Sequence, residues 1–206
     1  MTGTIGYTRR QFIVGGTALA ACANPALSVA GATRASAGPR ASLVAEAMAA
    51  LGRHRGSFAV TDRIGIADFS APSGLPRFYV LDVASGESRA LLVAHGRGSD
   101  PAHTGWLQSF SNAPGSAATS AGAYLTGAAY TGSHGPSRRL TGLDPANSNA
   151  EARAIVIHSA WYANPSVARE QGKLGRSEGC FAFPQADIDF VLDRLGEGRM
   201  IYATRS

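Results

Sequence analysis

The stretch Ala154-Ile155-Val156-Ile157-His158 is an apolar run of strand length that ends at a histidine. Three of its residues are β-branched, which favours a buried β-strand. A histidine at the end of such a strand is placed where its imidazole can face a cleft. The stretch therefore predicts a sheet that carries a candidate general base at one strand end.

Further runs with strand periodicity lie on both sides of this segment. The turn Ala84-Ser85-Gly86-Glu87 predicts a hairpin between two of them. Together they predict a mainly β, α+β domain with a few packed helices. The predicted strands are 63–69, 77–83, 88–95, 123–131, 152–159 and 199–203.

Helical spacing of apolar residues occurs in two places. Residues 43–51 follow Ser42, a candidate N-cap, and residues 185–195 lie between Pro184 and Gly196. Both segments predict short helices that pack on the sheet. The glycine-rich and serine-rich stretches 96–105 and 109–122 are long loops of the kind that border a site.

Composition excludes two classes of protein. The 206 residues carry a formal net charge of +5, and the basic residues are scattered rather than gathered into a stripe. This argues against a nucleic-acid-binding protein, whose affinity depends on clustered cations. No uninterrupted apolar run reaches the roughly 18 residues of a membrane span, so a polytopic membrane protein is excluded as well.

The first 30 residues resemble an export signal. Arg9 and Arg10 precede an apolar run over 12–21, and small residues follow at 28–30. This order resembles a twin-arginine signal peptide, which predicts a periplasmic or otherwise extracytoplasmic location. We expect residues 1–30 to be the signal, residues 31–42 a flexible linker, and residues 43–206 the catalytic domain.

The sequence leaves open whether Cys22 is acylated or removed with the signal peptide. Leu19-Ala20-Ala21-Cys22 resembles a lipobox, in which Cys22 would be acylated and anchor the mature protein, whereas cleavage after Ala30 would remove it. In either case Cys180 has no intramolecular disulfide partner. Since an unpaired thiol is a liability in an oxidising compartment unless it has a use, Cys180 is a candidate nucleophile.

Cys180 closes the segment Gly175-Arg176-Ser177-Glu178-Gly179-Cys180. A thiol attacks efficiently as a thiolate, and a neighbouring imidazole can remove its proton. Flanking glycines allow backbone N–H groups to converge on one point and stabilise an oxyanion. The pattern indicates a Cys180–His158 acyl-transfer site, and the alternative is a buried structural cysteine with a hydrogen-bonded histidine.

Motifs over residues 66–202 resemble those of the L,D-transpeptidase catalytic domain, the YkuD-like murein enzymes. The resemblance implies a β-sandwich or barrel with a few packed helices. The matching words, in family order, are Ala94-His95-Gly96-Arg97, Ser109-Phe110-Ser111-Asn112, Pro114-Gly115-Ser116, Leu125-Thr126-Gly127 with Tyr130, Gly132 to Gly135, Ile155 to His158, and Leu174-Gly175-Arg176-Ser177 leading to Gly179-Cys180.

This resemblance also implies roles for individual residues. Cys180 would be the nucleophile and His158 the general base, oriented by the backbone carbonyl of Ser159. The nucleophile loop would comprise Ser177, Glu178 and Gly179, with the amides of Gly179 and Cys180 forming the oxyanion hole. Candidate substrate contacts are Arg176, His95 and Trp161.

The implied activity is that of a murein L,D-transpeptidase. The thiolate would attack the carbonyl that joins the third residue of a tetrapeptide stem to its terminal D-alanine, and D-alanine would leave. An amine of another stem would then resolve the thioester and link two third residues, without a cofactor or metal. Water in place of the amine would make an L,D-carboxypeptidase, and a non-catalytic wall-binding domain is the third alternative.

Two positions depart from the family pattern. Glu178 stands where many members carry a histidine, and Phe181-Ala182-Phe183 stands where an arginine often follows the cysteine. The second departure leaves open which residue meets an anionic group of the substrate, with Arg97 and Arg176 as the candidates.

Overall fold

The computed structural model describes residues 1–3 and 38–206. Most of the predicted signal peptide, the paired arginines, Cys22 and the linker up to residue 37 lie outside the described residues. No helix in the described part of the chain has the length and apolar character needed to cross a bilayer.

The described chain is built on one mixed sheet of eight strands in the order β3-β2-β1-β8-β4-β5-β6-β7. The pairs β1–β8 and β6–β7 are parallel, and the others are antiparallel. The predicted hairpin joins β2 and β3. The strands are β1 (Arg63–Asp68), β2 (Phe78–Asp82), β3 (Ser88–Leu91), β4 (Gly122–Gly132), β5 (Gly135–Gly142), β6 (Val156–Ser159), β7 (Phe181–Phe183) and β8 (Met200–Thr204).

The two ends of the sheet meet. Ala94, just beyond β3, donates its N–H to the carbonyl of Ala182 in β7 at 2.9 Å. The sheet therefore curls around an apolar interior, where Phe78 packs edge-on against Phe183 with ring centroids 4.8 Å apart. This mainly β architecture confirms the predicted fold class.

Three helices pack on this frame: α1 (Ala41–Arg53), α2 (Pro165–Gln171) and α3 (Ile188–Arg194). Leu43, Ala47 and Leu51 of α1 form an apolar cluster with Ile64 and Ile66 of β1. The alternate residue Ala67 belongs instead to the interior cluster. Successive side chains of a strand point to opposite faces of the sheet, so β1 is buried on both faces.

Several predicted boundaries were wrong. Helix α1 begins at Ala41, inside the predicted linker, and its N-terminal flanking residue is Arg40, so Ser42 is not the cap. The predicted strand 152–159 begins only at Val156, because Ala154 turns the chain with a φ of +52°. The sequence patterns also failed to predict β5, β7 and α2.

A charged cluster lies buried between β2 and the start of the loop after β3. Arg77 donates from Nη2 to His95 Nδ1 at 2.7 Å and to the carbonyl of Val93 at 3.0 Å, and from Nη1 to the carbonyl of Ala71 at 2.9 Å. The other ring nitrogen of His95, Nε2, lies 3.5 Å from Oδ2 of Asp100. Burial lowers the pKa of Arg77 to about 9.

Candidate active site

His158 lies in β6, directly before its last residue, and only 2% of its surface is exposed. Its Nδ1 is 2.9 Å from the backbone carbonyl of Ser159. A carbonyl can only accept, so Nδ1 carries the proton and Nε2 of the neutral ring has the free lone pair. Burial lowers the pKa of His158, which keeps the imidazole neutral and able to accept a proton at pH 7.

A second imidazole covers this ring. His134, in the turn between β4 and β5, stacks on His158 with centroids 4.3 Å apart and planes inclined by 25°. Its charge contributes, after burial, to lowering the pKa of His158. The stacking restricts the orientation of the His158 ring, and His134 itself lines the cleft.

The loop before Cys180 is braced by Ser177. The Ser177 hydroxyl donates to the carbonyl of Cys180 at 2.7 Å and accepts from the N–H of Gly179 at 3.2 Å. The backbone of Ser177 is bonded on one side to His95 and on the other to Arg97, at 2.9 and 2.7 Å. These bonds fix the loop against the segment that follows β3.

No side chain fits at Gly179. Its φ is +120°, and a Cβ there would lie 2.8 Å from the carbonyl oxygen of Ala118. The Gly179 N–H, which was expected to help form the oxyanion hole, donates to Ser177 instead. The role of the Cys180 N–H in an oxyanion hole stays a prediction.

The Cys180 thiol is half-buried, with Sγ 3.5 Å from the carbonyl of Ala154. Burial raises the pKa of this thiol, and the N–H of Val156 and the charge of Arg153 partly oppose that rise. The carboxylate of Glu178 raises the pKa further. The resting site consequently favours a neutral thiol and a neutral imidazole rather than a preformed ion pair.

Cys180 and His158 line the same cleft, whose volume is about 590 Å³. The predicted border loops contribute to its walls through Arg97, Pro114, Gly115 and Ala117, which confirms their placement. The other lining residues are His134, Ala152, Arg153, Ala154, Tyr162, Arg176, Ser177 and Glu178.

Arg153 is a residue of the site that the sequence patterns did not identify. Its guanidinium donates to the carbonyl of Ser111 at 2.7 Å, to the hydroxyl of Ser120 at 2.8 Å, and to the carbonyl of Ala118. It thereby ties the loop at 109–122 to the segment that precedes β6. Because it fell inside a predicted strand, nothing in the sequence distinguished it from an exposed strand residue.

Replacing Arg153 by glutamine is expected to raise the pKa of Cys180, since it removes a positive charge that lowers this pKa. The pH at which the rate of alkylation by iodoacetamide rises should therefore be higher in this variant than in the unmodified chain. Arg153→Lys should restore part of the shift because it keeps the charge. The matched control is Arg194→Gln, outside the cleft, and an alkylation profile that is identical in all variants would contradict the assignment.

Three candidate substrate contacts occupy different positions. Arg176 lines the cleft, although its guanidinium donates to the carbonyls of Asp100 and Pro101. His95 is buried between Arg77 and Asp100 and does not line the cleft, and a contact between its ring and the substrate stays a prediction. Burial and the charge of Arg77 lower the pKa of His95 to about 3, so this ring is neutral.

Trp161 is 69% exposed and does not line the cleft. Its neighbour Tyr162, packed edge-on against it, is a lining residue. Tyr162 is held close to the nucleophile loop, because the N–H of Gly175 donates to its carbonyl at 2.9 Å. A contact between Trp161 and a longer substrate stays a prediction.

Among residues 1–3 and 38–206, no three histidine, cysteine or acidic side chains converge as the ligands of a metal ion would.

Residues 37–204 match the family model described as the L,D-transpeptidase catalytic domain. No curated protein is significantly similar to the chain.

Solved structures of low identity also resemble the chain. An L,D-transpeptidase from Mycobacterium smegmatis is 16% identical, with 69% of this chain and 58% of that chain covered and a TM-score of 0.43. One from Mycobacterium tuberculosis H37Rv is 16% identical, with 70% and 58% covered and a TM-score of 0.44. The helical cell shape determining protein of Campylobacter jejuni is 14% identical, with 72% and 49% covered and a TM-score of 0.46. The chain thus spans less than two thirds of each of these chains.

Proposed function

The chain belongs to the L,D-transpeptidase catalytic domain family, and we propose that it is a murein L,D-transpeptidase that forms a thioester on Cys180. The observation that carries this proposal is the shared cleft of Cys180 and His158. The base there is held in one tautomer by the carbonyl of Ser159. That arrangement suits acyl transfer to a thiol, because Nε2 of His158 has a free lone pair and can accept the thiol proton.

In the first half of the proposed reaction, Nε2 of His158 accepts the thiol proton and Sγ of Cys180 attacks the carbonyl carbon. That carbonyl joins the third residue of a tetrapeptide stem to D-alanine. The tetrahedral intermediate places negative charge on its oxygen, toward which the N–H of Cys180 can donate. The C–N bond then breaks, the imidazolium gives its proton to the departing nitrogen, and D-alanine leaves.

In the second half, an amine of another stem attacks the thioester carbonyl. His158 accepts the proton of that amine, the C–S bond breaks, and the sulfur recovers a proton from the imidazolium. The product is a cross-link between two third residues, and the thiol is restored. Water in place of the amine yields a tripeptide stem, which is the L,D-carboxypeptidase alternative.

We further propose that the protein acts outside the cytoplasm on peptidoglycan stem peptides. The twin-arginine pattern at Arg9 and Arg10 supports export, and the lipobox-like motif that ends at Cys22 supports a lipid anchor there. Both features lie outside the described residues. The proposed chemistry needs neither, since the reacting groups lie within residues 38–206.

The proposed function predicts a covalent adduct at Cys180. The full-length chain is incubated separately with a carbapenem and with tetrapeptide muropeptides, and adducts are mapped to a peptide by mass spectrometry. We expect one carbapenem per chain at Cys180, and loss of D-alanine with formation of cross-linked dimers. The control is the same chain after alkylation of Cys180 by iodoacetamide.

The possible outcomes separate the three alternatives. Dimers support transfer, and tripeptides without dimers support the carboxypeptidase. Retention of muropeptide without any adduct or release of D-alanine would reject the enzymatic proposal in favour of a wall-binding domain.

A further inference from the structure

An ion pair lines the cleft that contains Cys180 and His158. The Arg97 guanidinium, in the loop after β3, donates from Nε and Nη2 to Oε1 of Glu178 at 3.3 and 3.1 Å. Glu178 lies two residues before Cys180, and both members of the pair line the cleft. Opposite charges therefore face the same open space as the reactive thiol.

This pair is easily opened. The side chains of Arg97 and Glu178 are 61% and 76% exposed. An exposed pair of this kind stabilises a protein by only about 0–1 kcal/mol, because water and salt screen it. A ligand that offers its own ammonium and carboxylate can replace the pair at little cost.

The other charged residues of the cleft are already engaged. Arg153 is bonded to the loop at 109–122, and Arg176 to the carbonyls of Asp100 and Pro101. Glu178 is the one acidic side chain among the described lining residues. Arg97 and Glu178 are thus the two cleft charges whose described contacts are only with each other.

We infer that Arg97 and Glu178 together recognise the ammonium–carboxylate centre of the acceptor, with Arg97 binding the carboxylate and Glu178 the ammonium. This inference rests on the proposed function. The donor cannot offer such a centre at the scissile bond, because the nitrogen of its terminal D-alanine is part of an amide. An acceptor amine that sits beside a free carboxylate does offer one, whether on a free amino acid or on the side chain of a stem diamino acid.

The geometry also gives the proton a route. An ammonium bound by Glu178 must lose one proton to solvent before its nitrogen can attack the thioester. His158 is neutral again once D-alanine has left, so its Nε2 can accept the second proton as the amine nitrogen bonds to the carbonyl carbon. The C–S bond then breaks, and the sulfur takes that second proton from the imidazolium.

The test measures how the Cys180 thioester divides between transfer and hydrolysis. Full-length chain is supplied with a tetrapeptide donor and with D-norleucine, D-norleucinamide or pentylamine, and the ratio of transfer product to tripeptide is determined. Both products arise from the same thioester, so the ratio does not depend on how fast a variant is acylated or on how much of it is folded. A stem tetrapeptide serves as a further acceptor, to distinguish stem amines from free amino acids.

Arg97→Gln should lower the ratio for D-norleucine about tenfold while changing that for D-norleucinamide less than about twofold, since only the former carries the carboxylate. Glu178→Gln should lower the ratio for all three amines. The matched control is Arg176→Gln, a change to another cleft arginine, which should affect D-norleucine and its amide equally.

Two results would overturn the inference, and they are distinguishable. If the unmodified chain forms no thioester, the proposed function fails and the inference fails with it. If the thioester forms but its transfer ratios are the same in Arg97→Gln and Arg176→Gln, or only hydrolysis occurs with every acceptor, the recognition role is wrong and the acylation chemistry stands.

Discussion

Replacing Cys180 by serine is expected to abolish adduct formation with a carbapenem and release of D-alanine from tetrapeptide stems. A serine hydroxyl is far less acidic than a thiol, and a neutral imidazole alone deprotonates it poorly without the elements of a serine enzyme. His158→Gln should reduce acylation by about 10²–10⁴-fold, the usual contribution of a general base. Both losses are measured by mass spectrometry under conditions that saturate the unmodified chain.

The midpoint of thermal unfolding should stay nearly unchanged in both variants. Cys180 is half-buried and serine is close to it in size, while glutamine can still donate to the carbonyl of Ser159 that His158 now engages. Unfolding of both variants would instead indicate that the two residues are structural.

The pH dependence of acylation in the unmodified chain tests the state of His158. The pH at which the acylation rate falls on the acid side should lie below the usual histidine pKa of about 6.5, since the pKa of His158 is lowered.

Arg77→Met is expected to reduce the free energy of unfolding by about 3–5 kcal/mol, the cost of removing one partner from a buried charged network. The change leaves Nδ1 of His95 and the carbonyl of Val93 without their donor in a region closed to water, and it also removes the bond to the part-buried carbonyl of Ala71. It also leaves the carboxylate of Asp100 without a nearby buried cation. Chemical denaturation followed by tryptophan fluorescence measures the loss.

The control for this variant is Arg89→Met. Arg89 is half-exposed and pairs with Asp187 on the surface, so its replacement should change the unfolding free energy by less than about 1 kcal/mol. Equal losses in the two variants would show that the buried cluster contributes no more than a surface pair.

The strands with clear apolar periodicity were predictable. The run before His158 forms β6 and delivers the imidazole to the cleft as expected. Strand β5 was missed because its residues Ser137, Arg138 and Arg139 are polar, and two of them are buried only by the tertiary structure. Strand β7 is three residues long, too short for any periodicity to show.

The surroundings of the thiol were less predictable, because long-range pairings determine them. The burial of His95 depends on Arg77, which lies 18 residues away in sequence and directly precedes β2. Arg153 reaches three groups of the loop at 109–122, and no spacing within its own segment indicates those bonds. The bond between Gly179 and Ser177 follows from the loop conformation, which residue types alone do not determine.

The closure of the sheet between Ala94 and Ala182 has a consequence for the order of events in folding. Strand β7 holds the residues that follow Cys180, and its neighbours β6 and Ala94 lie far apart along the chain. Contacts of such high sequence separation form late, since their loop-closure entropy must be overcome first. A chain still folding thus carries an ordinary cysteine, and the surroundings that raise the pKa of the Cys180 thiol form only with the completed native topology.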